Sequence, residues 1–150
     1  MFAELGAITN FSFLRGAAHP DEMVLTAHAL GLEAIGIADR NSLAGVVRAH
    51  VAAKEVGLRL LVGARLVTRA GFEVICYPQD RSAYGRLVKL LTLGNRRAPK
   101  GECHLDLEDI LAHAEGQIFI AIPPVRLDDG FAGHLARLVK DQSSACRPNR

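Results

Sequence analysis

Asp39, Arg40 and Asn41 stand at the end of the short apolar run "EAIGIAD", where an α/β protein builds its sites at the carboxyl end of a strand. That place gives the three polar residues a claim to chemistry. The structural alternative is simpler: the aspartate accepts backbone N–H bonds and Asn41 caps the following helix. An earlier stretch, "LGAITNFSFLRG" (residues 5–16), follows another strand and offers Gly6, Ala7 and Ile8, with no acid, histidine or cysteine. The six histidines (His19, His28, His50, His104, His113 and His134) never fall into a metal-ligand pair such as His-x-His or His-x-x-x-His. His28, His50, His113 and His134 sit within helical patterns beside surface charges, and His19 precedes Pro20 at a helix start, where a loop or capping role is expected. Cys103 and His104 are adjacent, and side chains one apart seldom face one ion. Glycine-rich phosphate loops and the Gly-x-Ser-x-Gly nucleophile turn are both missing from the sequence. The densest basic cluster is Arg96, Arg97 and Lys100, expected in a loop, with Arg86 and Lys89 on the helix before it. Such a cluster can meet the phosphates of nucleic acid or another anion. It can also be a solvated face, or pair with Glu102 and Asp106.

Bulk properties narrow these options. At 150 residues and 49% hydrophobic, the chain is long enough for one domain with a real core. A net charge of +2 is too small to imply nucleic-acid binding by itself, and 5% aromatics without tryptophan leave little for a base-stacking platform. Three cysteines, Cys76, Cys103 and Cys146, are odd in number and irregularly spaced, so neither a disulfide framework nor a zinc site follows. A reducing, cytoplasmic setting is expected, with no membrane segment and no signal peptide.

The elements that must position these residues follow from periodicity. Residues 2–5 read as a short strand. Pro20, Asp21 and Glu22 open a helix that Gly31 ends. "EAIGIAD" reads as a buried parallel strand, and helical spacing resumes over 41–57 with Asn41 or Ser42 as N-cap and Gly57 as terminator. "LRLLVGARLVT" and "FEVICYP" flank Arg69-Ala70-Gly71 and read as a hairpin. Asp80 caps a helix ending at Gly94, residues 95–105 form a loop, and helix, strand and helix follow. The expectation is an α/β fold with a mostly parallel sheet and one hairpin, with residues 141–150 as a disordered tail.

Four stretches, in order over residues 1–140, resemble one family: "FAELGAITNFSFLRGAAHPDEMV", "GLEAIGIADRNSLAGVVRAHVAAKEVGLRLLVGARLV", "VICYPQDRSAYGRLVKLLTLGNRRAPKGECHL" and "EDILAHAEGQ". They are similar to the amino-terminal PHP (polymerase and histidinol phosphatase) domain of error-prone, C-family bacterial DNA polymerases, alpha-subunit-like enzymes of damage-induced translesion synthesis. The resemblance implies a distorted βα barrel, present here in part. It also implies metal ligands that this chain does not carry. The family's His-x-His at the first strand end falls on Gly6 and Ile8, and a later histidine falls on Leu14. The histidine of Thr-Asp-His falls on Arg40, with Asp39 kept, and a glutamate falls on Arg65.

Hydrogen, alkyl groups and guanidinium cations cannot donate a lone pair to a metal. The resemblance therefore implies a degenerate metal site without the zinc or manganese of relatives, in which Arg40 and Arg65 pair with Asp39 or hold an anion. The palm domain and its magnesium lie outside this chain, which is not expected to polymerise DNA alone. The implied role is a non-catalytic scaffold for the rest of the polymerase or for replisome and translesion proteins, with homodimerisation through an exposed sheet edge. Two alternatives stand beside it: a metal-dependent phosphoesterase or exonuclease, and a DNA-binding remnant using residues 96–100.

Overall fold

The computed structural model describes the backbone of residues 2–145 and the side chains of residues 2–140. The elements in chain order are β1 (Ala3–Ala7), α1 (Pro20–Ala29), β2 (Ala34–Arg40), α2 (Val46–Val56), β3 (Arg59–Val67), β4 (Glu73–Pro78), α3 (Arg81–Arg97), α4 (Leu107–Ala112), β5 (Gln117–Ile122) and α5 (Asp129–Ala145). The strands form one sheet in the order β1-β2-β3-β4-β5. β1–β2 and β2–β3 are parallel, and the short turn between β3 and β4 makes the expected hairpin, so the sheet is mixed. The chain divides into two compact units, Met1–Arg65 with Ile75–Tyr77, and Leu66–Val74 with Pro78–Arg150.

In the first unit β2 lies between two partners, so all its residues but Arg40 are buried. Strand alternation divides its side chains between two faces. Ile35 and Ile37 pack with Val24 and Ala27 of α1 and with Ala49, Ala52 and Ala53 of α2. The other face carries Ala34, Gly36 and Ala38, and its small residues make room for a ring. The Tyr77 hydroxyl donates to Leu5 O at 2.7 Å. A Cβ on Gly36 would stand 2.1 Å from that hydroxyl, and one on Gly63 would stand 2.6 Å from the ring. Burial first, and the Glu4 carboxylate second, push the Tyr77 phenol above its ordinary range. Leu5 belongs to an irregularity between Glu4 and Ala7 in the β1–β2 register, and Gly6 N–H there donates to Glu4 Oε1 at 2.6 Å.

α2 starts at Val46, not at Asn41 or Ser42. Asn41 takes a left-handed φ of 46° while its N–H donates to Arg65 O at 2.9 Å, and Ser42 Oγ accepts from Ala44 N–H at 3.1 Å. The first bond ties the Asn41 backbone to the adjacent strand and the second occupies the Ser42 hydroxyl locally, so the helix begins only after Gly45. Gly57 ends the helix as expected, left-handed at φ 71°.

In the second unit Asp80 caps α3, accepting from Ala83 N–H at 2.7 Å. The helix does not stop at Gly94 but runs on to Arg97, so Arg96 and Arg97 are helical and only Lys100 of the basic cluster lies in the following loop. Gly94 serves close packing: a Cβ there would stand 2.6 Å from Cys103 Sγ and 2.7 Å from Leu105 Cδ2. Ala83, Leu87, Leu90 and Leu91 form the buried stripe of α3. Arg69 grips Asp106 with two bonds, at 2.9 and 2.5 Å, and holds that carboxyl below its usual range. α5 continues to Ala145, through the first five residues expected to be tail, and residues 146–150 lie outside the described residues. Among the described residues no helix is long and apolar enough to cross a membrane.

The Tyr77 packing is testable by a double-mutant cycle in urea unfolding. Gly36→Ala is expected to cost about 2–4 kcal/mol, from overpacking and loss of the bond to Leu5. Tyr77→Ala is expected to cost about 3–5 kcal/mol. Because the second change removes the clash created by the first, the pair should cost at least about 1 kcal/mol less than the sum. Additive losses would show that the ring does not require the glycine.

Candidate functional site

The carboxyl ends of β1, β2 and β3 in the first unit gather Ile8, Asp39, Arg40 and Arg65, with the loop of residues 8–19 beside them. Asp39 is 1% exposed, and a buried carboxylate is tolerable only if donors replace water. Three do so. Thr9 N–H reaches Oδ1 at 2.8 Å, Ser12 Oγ reaches Oδ1 at 2.7 Å, and Thr9 Oγ1 reaches Oδ2 at 2.8 Å. Each hydroxyl also accepts: Thr9 Oγ1 from Phe11 N–H at 3.2 Å and Ser12 Oγ from Arg40 N–H at 2.9 Å. The network thus ties the loop that follows β1 to the end of β2.

The loop closes tightly around these bonds. Ser12 N–H donates to Thr9 O, and Arg15 and Gly16 both donate to Ser12 O. Gly16 is required by contact, since a Cβ there would lie 2.2 Å from Thr9 O. Gly45 is required in the same way, because a Cβ would lie 2.8 Å from Asp39 Oδ2. Leu14 is held left-handed at φ 58° and is 89% exposed beside Phe13 at 83%. A left-handed leucine costs about 1–2 kcal/mol, which the bonds around Ser12 must offset. His19 stands at the N-cap of α1, its N–H donating to Glu22 Oε2 at 2.9 Å and its Nδ1 2.9 Å from the Asn10 amide. That is the loop and capping role expected of it.

Arg40 and Arg65 are register partners across the parallel β2–β3 ladder, as Asp39 is of Ala64. Alternation puts both half-buried arginines on the face of Gly36, Ala38 and Gly63, and sends Asp39 to the helix-packed face. The donors on the Asp39 carboxylate come from Thr9 and Ser12. Gly6 and Leu14 are exposed and Ile8 is half-buried. The positions that the resemblance equates with metal ligands thus supply hydrogen, alkyl groups and guanidinium. That donor set does not fit a divalent ion. Among the described residues no three His, Cys, Asp or Glu side chains lie close enough to hold one. Cys76 offers no nucleophile either, because burial pushes its thiol up to about 12.

The structure brings together Asp39, Arg40 and Arg65 as strand-end residues, and assigns Arg96, Arg97 and Lys100 to the second unit. Arg97 pairs there with Asp109 at 2.6 Å. The pairings weighed from sequence are replaced, since Asp106 binds Arg69 and Glu102 lies 2.9 Å from His104. Thr9, Gly16 and Gly45 were not singled out by sequence reasoning. Thr9 and Ser12, three apart and just after a strand, carried the one readable signal of a hydroxyl-built loop.

Asp39→Ala is expected to lower stability by about 3–5 kcal/mol, because three buried donors lose their acceptor. Asp39→Asn, which keeps one acceptor oxygen and lets Thr9 Oγ1 turn to accept, is expected to cost only about 1–2 kcal/mol. Chemical denaturation of both variants measures the difference. Equal costs would mean that the hydrogen bonds are not what holds the loop.

Comparison with known proteins agrees with this architecture. The profile of the PHP domain family matches residues 5–148. An Error-prone DNA polymerase of Caulobacter vibrioides is 58% identical over 142 residues, 94% of this chain, and one of Rhodopseudomonas palustris is 50% identical over 148 residues, 95% of this chain. The chain spans 13% of the length of each of these curated relatives. Among solved structures, a protein described as a metal-dependent phosphoesterase from Bifidobacterium adolescentis matches with a TM-score of 0.70 at 16% identity, over 93% of this chain and 74% of that one. An amidohydrolase from Chromobacterium violaceum, solved with bound sulfate and no metal, matches with a TM-score of 0.64 at 17% identity, over 96% of this chain and 74% of that one. At such identities the likeness concerns the fold, and it agrees with the α/β PHP-type fold expected from the sequence. With nearly its whole length matched by the family profile, the chain belongs to the PHP domain family.

Proposed function

We propose that this chain is the amino-terminal PHP portion of an error-prone DNA polymerase of the damage-induced translesion type, and that its own role is structural. What carries the reading is the set of groups at the positions that the resemblance equates with metal ligands: Gly6, Ile8, Leu14, Arg40 and Arg65 offer no usable lone pair. The remaining one, Asp39, spends its carboxylate on Thr9 and Ser12. A dication about 4 Å from a guanidinium in partly buried surroundings would meet a repulsion of roughly 8 kcal/mol, twice that of two unit charges. The identity to proteins named Error-prone DNA polymerase supports the polymerase context. Metal-dependent phosphoester hydrolysis has no ligand set to use here. The strand-end rim instead fixes the 8–19 loop as a rigid surface for the remainder of a polymerase or for other replication proteins, in the cytoplasm.

The chain, dialysed against Zn²⁺ or Mn²⁺ and analysed by elemental mass spectrometry, is expected to keep far less than one ion per molecule. It should release no phosphate from a phosphomonoester in an EDTA-sensitive manner. The variant Gly6→His/Ile8→His/Arg40→His/Arg65→Glu, checked for folding by circular dichroism, should retain more metal than the parent. Stoichiometric metal on the parent with EDTA-sensitive hydrolysis would overturn the structural reading in favour of a phosphoesterase.

A further inference from the structure

The outer side of α3 in the second unit carries an open groove of about 490 Å³, lined by Val88, Lys89, Thr92, Leu93, Arg96, Arg97 and His113. Six of these residues occupy two adjacent rows of the helix, 88-92-96 and 89-93-97, at the four-residue spacing that forms a ridge pair. The groove is therefore as long as about two helical turns. Its floor is apolar. Val88 and Leu93 supply it, and the Thr92 hydroxyl is turned back onto Val88 O at 2.8 Å. Its walls are cationic.

The charges nearby are unevenly matched. All five acids between residues 102 and 115 have a basic neighbour: Glu102 with His104, Asp106 with Arg69, Glu108 with Arg137, Asp109 with Arg97 and Glu115 with Arg86. Among the described residues, Lys89 and Arg96 on the groove and Lys100 just beyond it have no acidic partner. Lys89, Arg96 and Lys100 are exposed. An unpaired cation beside an apolar floor favours a ligand that brings acids and apolar side chains together, in register.

From this we infer that the α3 groove is a docking surface for an acidic amphipathic peptide segment of another protein, held by apolar side chains on Val88 and Leu93 and by carboxylates on Lys89 and Arg96. Nucleic acid fits less well. His113 is the one ring among the lining residues, with no Phe, Tyr or Trp beside it to build a base-stacking platform, and phosphates gain nothing from Val88 and Leu93. The inference is independent of whether the strand-end rim of the first unit binds metal.

The test uses the full 150-residue chain and fluorescence anisotropy. The probe is a labelled peptide of about 15 residues with leucines at i, i+4 and i+7 and Asp or Glu on both flanks of that stripe. Binding is expected with a Kd on the order of 10–100 µM, as for a small transient interface, and should weaken as salt rises from about 0.05 to about 0.3 M. Lys89→Glu/Arg96→Glu, both at exposed positions, should weaken binding by about tenfold or more. Val88→Asn should also weaken it, whereas the matched charge control Arg48→Glu/Lys54→Glu on α2 should not. Circular dichroism establishes that each variant is folded. The inference fails if the peptide does not bind saturably, if a Gln/Asn version of the peptide binds equally well, or if the α2 control loses binding to the same degree. It also fails if a single-stranded oligonucleotide binds more tightly and is lost with Lys89→Glu/Arg96→Glu, which would make the groove a nucleic-acid site.

Discussion

A carboxylate sealed from water must be fully hydrogen-bonded, and the first unit of this protein is arranged around meeting that requirement for Asp39. The donors come from a loop nearly thirty residues earlier in the chain, so the bonds fix the loop onto the strand end. The same demand dictates glycine at 45, where any side chain would displace the carboxylate, and at 16, where it would collide with Thr9 O. It also accounts for an exposed leucine held in a left-handed conformation. A loop with only its own turn bonds would relax such a residue. A loop anchored to a buried charge can keep it.

β2 serves two environments through strand alternation. One set of side chains, Ile35, Ile37 and Asp39, faces α1 and α2, and the other, Ala34, Gly36, Ala38 and Arg40, faces the Tyr77 ring and the neighbouring Arg65. The absence of side chains at Gly36 and Gly63 lets Tyr77 lie across two strands and reach Leu5 O. These roles explain why a strand that reads simply as apolar contains glycine and aspartate. The Asp39 carboxylate is thereby used for loop placement.

Much of the frame was legible before the structure. The apolar run ending at Asp39, the proline and acids opening α1, the left-handed Gly57 and the turn at Arg69-Ala70-Gly71 all report on local backbone needs, and local needs can be read from neighbouring residues. The structural role weighed for Asp39, acceptance of a backbone N–H, is met by Thr9. The misreadings share one cause. Asn41 and Ser42 have capping chemistry, yet the Asn41 N–H bond to Arg65 O fixes that backbone against the adjacent strand at a left-handed φ, outside a helix start. Gly94 resembles a helix stop, yet it is glycine because Cys103 and Leu105 press against the helix there. Contacts between residues far apart in sequence set both outcomes, and no short-range pattern encodes them. The ion pairs of the basic cluster were unreadable for the same reason, since partner choice among Arg69, Arg97, Asp106 and Asp109 depends on helix placement.

The donors from Thr9 and Ser12 to Asp39 hold the strand-end loop in place. Native-state hydrogen exchange at the Thr9 amide, followed in the presence of EDTA, tests this most directly. This N–H is expected to exchange only on global unfolding, with the same opening free energy as the amide of Ile37 in the central strand. Exchange through a markedly cheaper local opening, or protection that appears only when divalent metal is added, would contradict it.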